Sequence, residues 1–399
     1  MIHATPSLEV ASSPTSRGRT LVAVLLAGSI GAAAVSLTRW AEDPKRWLYS
    51  YLAAFVFALT ISIGALAWLM LQHLTRAVWS IVLRRILENL TRPIPWLVLG
   101  FSPIALHLPL IYEWAEPGRA ASDPALARKA AWLDPTFFNI RSAVYLGTWA
   151  ILATLLVRIS ARQDETTDPR STGRMRTISS WGLALLALTS SYAGFDWLMS
   201  LSPHWASSIY GVYVWACSLV SSIAATIVLT LALRGSGRLG RVVSTEHLHD
   251  LGKLLFGFVV FWTYIAFSQY FLIWCANFPE ETRWYITRRS GTWNTVSWWL
   301  CCGHFAMPFL LLLFRSIRRD AFWLGFLAAW VLVFHYLDIY WLIMPALYPE
   351  GVQPDWLDVS LLGAVVLACS AIVVHACRTR PIIPVGDHRL SESIAFQNS

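Results

Sequence analysis

The chain has 399 residues, of which 56% are hydrophobic and only 14% charged, with 22 tryptophans and a mean hydropathy of +0.53. Ordinary soluble chains carry about 25% charged residues, so the composition excludes a soluble globular protein and points to an all-α integral membrane protein. The net charge of +8 is not a nucleic-acid signal, because Lys and Arg fall in short loops between apolar runs and not on one continuous face.

The N-terminal stretch "MIHATPSLEVASSPTSRGRT" is polar, and residues 1–19 are expected to be disordered. The apolar run that follows is longer than a signal-peptide core and lacks a small-x-small cleavage site, so it reads as a first helix. Uncharged runs long enough to cross a bilayer then predict ten spans, at about residues 20–38, 49–71, 93–112, 137–159, 177–200, 206–233, 252–277, 293–316, 321–344 and 357–377. The third opens with "RPIPW", where prolines in the first turn cost little, and the segment before it, "RAVWSIVLRRILENL", reads as an interfacial amphipathic helix. Residues 20–377 thus form one transmembrane domain, followed by a tail over 378–399.

Alternate loops differ in charge: about twenty Lys and Arg lie on the side of the N-terminus and about nine on the other. The positive-inside rule therefore predicts cytoplasmic termini. The six cysteines, Cys217, Cys275, Cys301, Cys302, Cys369 and Cys377, lie in or beside apolar helices with no CxxC spacing, and read as packing residues, with no metal site expected.

Ionisable groups at membrane depth are costly, about 2.5–3.5 kcal/mol each at the centre on insertion scales, and need partners, water or a task. Spaced by about 1.5 Å per helical residue, they form layers. Near the N-terminal side, "TEHLHDLGKLLFG" puts Asp250 and Lys253 on one helix face, either as an interfacial anchor or as a proton-collecting mouth. Tyr264, Ser268, Gln269 and His304 lie centrally, where such groups either glue helices together or relay protons. Toward the far side come Asp196, with His204 at the turn beyond it, and the His335 and Asp338 pair, together with His107 and Glu113. Layering of this kind suits proton movement, and equally suits separate interhelical contacts.

Three stretches, "FDWLMSLSPHWASSIYGVYVWA", "HLHDLGKLLFGFVVFWTYIAFSQYFLIWCANFPEETRWYITR" and "HYLDIYWLIMP", resemble the second large membrane subunit of alternative complex III, a quinol:cytochrome c or other acceptor oxidoreductase. That subunit is one of the NrfD-like, polysulfide-reductase-type membrane proteins. The resemblance covers residues 20–377 and implies ten helices, in two four-helix bundles over about 49–200 and 206–344 with a peripheral helix at each end. It also implies a bacterial inner-membrane subunit with no redox centre of its own. Its partners would be a paralogous membrane subunit, an iron–sulfur subunit, and multihaem and monohaem cytochrome c subunits that hold the haem c and the clusters.

In that setting Asp250 and Lys253 would take up protons, Tyr264, Ser268, Gln269 and His304 would pass them, and Asp196, His204, His335 and Asp338 would release them. Two competing readings are a direct menaquinol- or ubiquinol-binding subunit, with His107 and Trp114 at the headgroup, and a passive membrane anchor. The family commonly reads "SLDPHW" where this chain has Ser202, so one acidic step is absent at that place.

Overall fold

A computed structural model describes residues 16–240 and 242–397. Most of the N-terminal segment expected to be disordered, Arg241 of the charge count, and the last two residues of the tail lie outside the described residues. The described residues form helices, turns and loops with no strand among them. The principal helices are α1 (Ser16–Trp40), α2 (Pro44–Thr75), α3 (Arg84–Thr91), α4 (Pro135–Thr166), α5 (Arg170–Trp197), α6 (Tyr210–Gly235), α7 (Thr245–Ala276) and α8 (Pro279–Arg289). They continue with α9 (Gly291–Leu312), α10 (Ala321–Ile343) and α11 (Trp356–Thr379). Eight helices are long and apolar enough to cross a membrane: α1, α2, α4, α6, α7, α9, α10 and α11.

Several starts share one device. Asp43 before Pro44, Asp134 before Pro135 and Asp320 before Ala321 each accept a hydrogen bond from a first-turn N–H, at 2.9, 2.7 and 2.9 Å. Such caps satisfy donors that a helix leaves free, and proline fits at a first position that needs no N–H.

The third expected span is not one helix. Residues 94–111 form three short helices, Ile94–Gly100, Ser102–Leu106 and Leu108–Ile111. Pro103 and Pro109 each remove a donor, freeing the carbonyl four residues earlier. Ser102 Oγ donates to one of these, Leu99 O, at 2.8 Å, and Asn139 Nδ2 of α4 donates to the other, Ala105 O, at 3.3 Å. In α9, Pro308 has a similar effect: Leu300–Ala306 widens into a π-helical stretch, in which the Met307 N–H reaches back to Cys302 O. Trp330 Nε1 donates to Gly303 O at 2.8 Å, and a side chain at Gly303 would collide with the Phe334 ring.

α2 is the hub, packing against α5, α6, α10 and α11. Its crossing with α6 is tight because Gly64 lies against the Ser218 carbonyl, where any Cβ would collide with backbone. α1 is peripheral and runs antiparallel to α11, pinned by Ser29 Oγ donating to Ala364 O at 2.8 Å and Ser360 Oγ donating to Ala32 O at 2.9 Å. At one end of the bundle, buried Arg46 pairs with Asp358 at 2.5 Å, tying α2 to α11.

One expectation needs correction. The segment read as an interfacial helix is buried protein interior: Arg84, Arg85, Glu88 and Asn89 are all under 4% exposed. The tail is what covers it. Residues 381–397 fold back, with Ile382, Ile383 and Leu390 buried, and Asp387 pairs with Arg84 at 2.6 Å. Arg85 pairs with Glu88 and Asp164, the Gly386 N–H donates to Asp164 at 3.1 Å, and Ser393 Oγ donates to Trp79 O at 3.0 Å. Charges that would have faced lipid headgroups are thus neutralised inside the fold.

Burial alone would raise the Asp387 carboxyl, but Arg84 and the backbone N–H and guanidinium of Arg389 outweigh it and hold it below the usual carboxylate range. A depressed folded-state value means the ion pair contributes fully above the unfolded value of about 4 and is lost as pH falls through the folded one. Limited proteolysis should find the 381–397 strap protected near neutral pH and cleaved on acidification, whereas Asp387→Asn should be cleaved at neutral pH as well.

Candidate functional site

The central polar cluster is assembled from five helices. Asp338 on α10 is fully buried and accepts three hydrogen bonds: Tyr213 Oη at 2.6 Å, Trp262 Nε1 at 3.1 Å and Cys217 Sγ at 3.2 Å. Tyr213 and Cys217 stand one turn apart on α6, and Trp262 comes from α7. No cation pairs with Asp338 among the described residues.

One turn before Asp338, His335 is also fully buried, with Nε2 2.8 Å from Thr60 Oγ1 of α2. The Thr60 hydroxyl is within donating distance of Val56 O, 2.9 Å. With its proton given there, it accepts from Nε2–H and leaves His335 Nδ1 as the basic nitrogen, and that nitrogen has no partner among the described residues.

His304, in the π-helical stretch of α9, is buried and stacks on Trp262 with ring centroids 4.1 Å apart. Both its nitrogens lack partners among the described residues, and it lies close enough to His335 to act on it electrostatically. Buried polar atoms left without partners are rare, and they call for water or a working role. A cavity of about 20 Å³, lined in part by Thr60, Ser190 and Ser218, adjoins the cluster and has room for one water.

Cys217, His335 and Asp338 present ligand atoms within 4.8 Å of one another. Nitrogen, sulfur and oxygen donors of this kind can hold a zinc-like cation. Here a cation would have to displace the Cys217 proton and compete with Tyr213 and Trp262 for the carboxylate.

Arg288 of α8 closes the far end of the cluster. It is buried, lies 3.4 Å from the Trp284 ring centroid, and donates to Leu342 O at 2.9 Å and Trp341 O at 3.2 Å, the carbonyl end of α10. Burial pushes its guanidinium down to about 9, so it stays charged at neutral pH, and no carboxylate pairs with it among the described residues. The sequence reading counted Arg288 only as a loop charge.

Asp196 belongs to a different network. Fully buried on α5, it holds Arg141 through both oxygens, at 2.8 and 2.9 Å, and accepts from Trp132 Nε1 at 2.9 Å and Tyr145 Oη at 3.0 Å. Arg141 is itself sandwiched by the Trp132 and Phe137 rings at 4.2 and 4.3 Å. Asp196 therefore shares no bond with His335 or Asp338, and its arginine was missed because it sits at a helix start. His204, largely exposed at the turn beyond, lies 3.1 Å from Asp123.

On α7, Asp250 and Lys253 pair at 2.5 Å as their spacing predicts. Glu246 meets Arg319 at 2.5 Å, while buried His249 has no partner on either nitrogen among the described residues. Gln269 is buried, with Nε2 donating to Tyr285 Oη at 3.2 Å, and Ser268 is half-buried. Tyr264 does not face the interior: it is 64% exposed, on the opposite side of α7 from Trp262 and Gln269. Two residues are about 200° apart on a helix, and it is Trp262 that reaches Asp338. His107 and Trp114 have different neighbours. His107 is held by Pro103 O at 2.9 Å and the Trp40 ring at 4.9 Å, whereas Trp114 packs with Tyr112 and Phe138.

No protein-family model matches the chain, and neither does any curated protein.

The two buried carboxylates should respond differently to neutralisation. Asp196→Asn strands the buried Arg141 charge and should cost about 3–5 kcal/mol, whereas Asp338→Asn strands no cation and should cost about 1–2 kcal/mol. Thermal unfolding of the purified variants in detergent measures the gap.

Proposed function

We propose that the chain is a multi-pass subunit of an NrfD-like kind that conducts protons, with Asp338, Cys217, His335 and His304 as the central exchanging group. More particularly, it acts as the second membrane subunit of alternative complex III, coupling quinol oxidation in the paralogous subunit to proton movement through this one. The observation that carries this reading is a buried carboxyl group held, among the described residues, only by neutral donors, beside histidine nitrogens that have no partner among them. A group so placed can gain or lose a proton without breaking an ion pair. One charge crossing 100 mV involves about 2.3 kcal/mol, which quinol oxidation would supply.

Uptake is assigned to the face that holds Asp250, Lys253 and His249, and release to the side of Arg288, whose fixed positive charge disfavours a proton resting near it and so discourages backflow. Asp196 is assigned to scaffolding, because both its oxygens are engaged by Arg141, with Trp132 and Tyr145 as further donors. On this reading both termini face the cytoplasm of a bacterial inner membrane, and ten helices span it if α5 and the broken 94–111 segment are counted with the eight apolar ones. The haem c and iron–sulfur clusters are assigned to partner subunits, and the quinol to the paralogous membrane subunit.

Purification under mild conditions should bring down haem- and cluster-bearing subunits. In proteoliposomes of that complex, Asp338→Asn should retain quinol oxidation measured with the membrane uncoupled and lose most proton ejection. Full ejection by a fully assembled Asp338→Asn complex would exclude the relay.

A further inference from the structure

At the end of the bundle where α1 begins and α11 ends, a groove of about 420 Å³ lies between the Ile94–Gly100 helix, α4 and α11. Arg92, Arg158 and Arg380 line it, and no carboxylate does. None of the three makes an ion pair among the described residues, and Arg380 is near enough to Arg92 to repel it. The nearest acid acting on Arg92 is Glu88, which Arg84 and Arg85 already hold. Three arginines on one groove without a carboxylate among its lining residues make it complementary to an anion. The walls are otherwise mostly apolar, with Trp96 62% exposed at the rim.

A second groove of about 390 Å³, on the α1 side of α11, shares His375 and Thr379 with the first and adds Arg19 and Arg378. We propose that this paired groove is a binding site for an anionic phospholipid, with the phosphate held by Arg92, Arg158 and Arg380 and the acyl chains lying along α11. Charge complementarity selects the headgroup, and the position where apolar helices meet a ring of arginine selects a lipid over a soluble anion.

The test titrates the full-length chain in detergent with phosphatidylglycerol or phosphatidylcholine and reads bound lipid by native mass spectrometry. Phosphatidylglycerol should bind in preference to phosphatidylcholine. The Arg92→Gln, Arg158→Gln, Arg380→Gln triple variant should weaken that binding about a hundredfold, while Arg162→Gln, Arg170→Gln, Arg174→Gln, with the same change in charge at exposed positions, should not. Equal binding of the two lipids, or equal loss in both triple variants, overturns the proposal. Complete displacement by millimolar inorganic phosphate would make the site one for free anion and overturn the lipid assignment. If the groove variant unfolds, the lipid preference of the unaltered chain, together with Arg158→Lys, which should keep binding, decides the matter.

Discussion

Asp338 is a carboxyl group buried among helices with three donors and, among the described residues, no cation, and the middle of the bundle is arranged around that fact. Holding a charge there is costly unless donors share it. Tyr213, Cys217 and Trp262 supply those donors from two helices, and the close α2–α6 crossing at Gly64 keeps Thr60 against His335 on the same α10 turn. Each donor is neutral, so a proton added to the carboxyl leaves no partner charge stranded. The same is true of His335 at Nδ1 and of His304 at both nitrogens, which are buried and lack partners among the described residues.

The other buried acids are held in a different way. Asp196 with Arg141, Asp358 with Arg46, and Asp387 and Glu88 with Arg84 are ion pairs in which each charge needs its opposite. Such pairs fix geometry, because removing either partner strands the other charge. They anchor α4 to α5, α2 to α11 and α3 to the C-terminal strap, leaving one central carboxyl unpaired by any cation. Arg288 is the reverse case, a buried cation held by carbonyls and aromatic faces. Its position at the carbonyl end of α10 places fixed positive charge at the outer limit of the central cluster. The buried polar groups thus divide between an ionic frame and a small centre whose carboxyl is held by neutral donors, the centre to which proton exchange is assigned.

The helical, apolar character of the chain is legible because apolar length is a strong and local signal: α2 contains the expected 49–71 span, and α6 and α10 match the expected 206–233 and 321–344 spans to within four residues at each end. Local spacing also gave the Asp250–Lys253 pair and the shared face of His335 and Asp338. What sequence could not reveal was partnership across helices. Depth groups Asp196 with Asp338, yet Arg141 claims it, and the polar hydroxyl of Tyr264 draws notice in the sequence whereas it is the indole of Trp262, two residues earlier and on the opposite face, that reaches Asp338. Pro103 and Pro109 were the missed signal for the broken third segment, since only the prolines at its start had been weighed. The amphipathic look of residues 76–90 was real, but the surface facing its polar side is the protein's own tail, over 300 residues later in the chain.

The central claim is that Asp338 changes protonation while the tyrosine, thiol and indole around it stay in place. Infrared difference spectroscopy of the purified complex, taken between oxidised and quinol-reduced states, reports this directly through the C=O stretch of a protonated carboxylic acid. The account predicts a carboxylic band that shifts in deuterated water and vanishes in Asp338→Asn while the Asp196→Asn spectrum retains it. A spectrum with no carboxylic band, or one unchanged by Asp338→Asn, would contradict it.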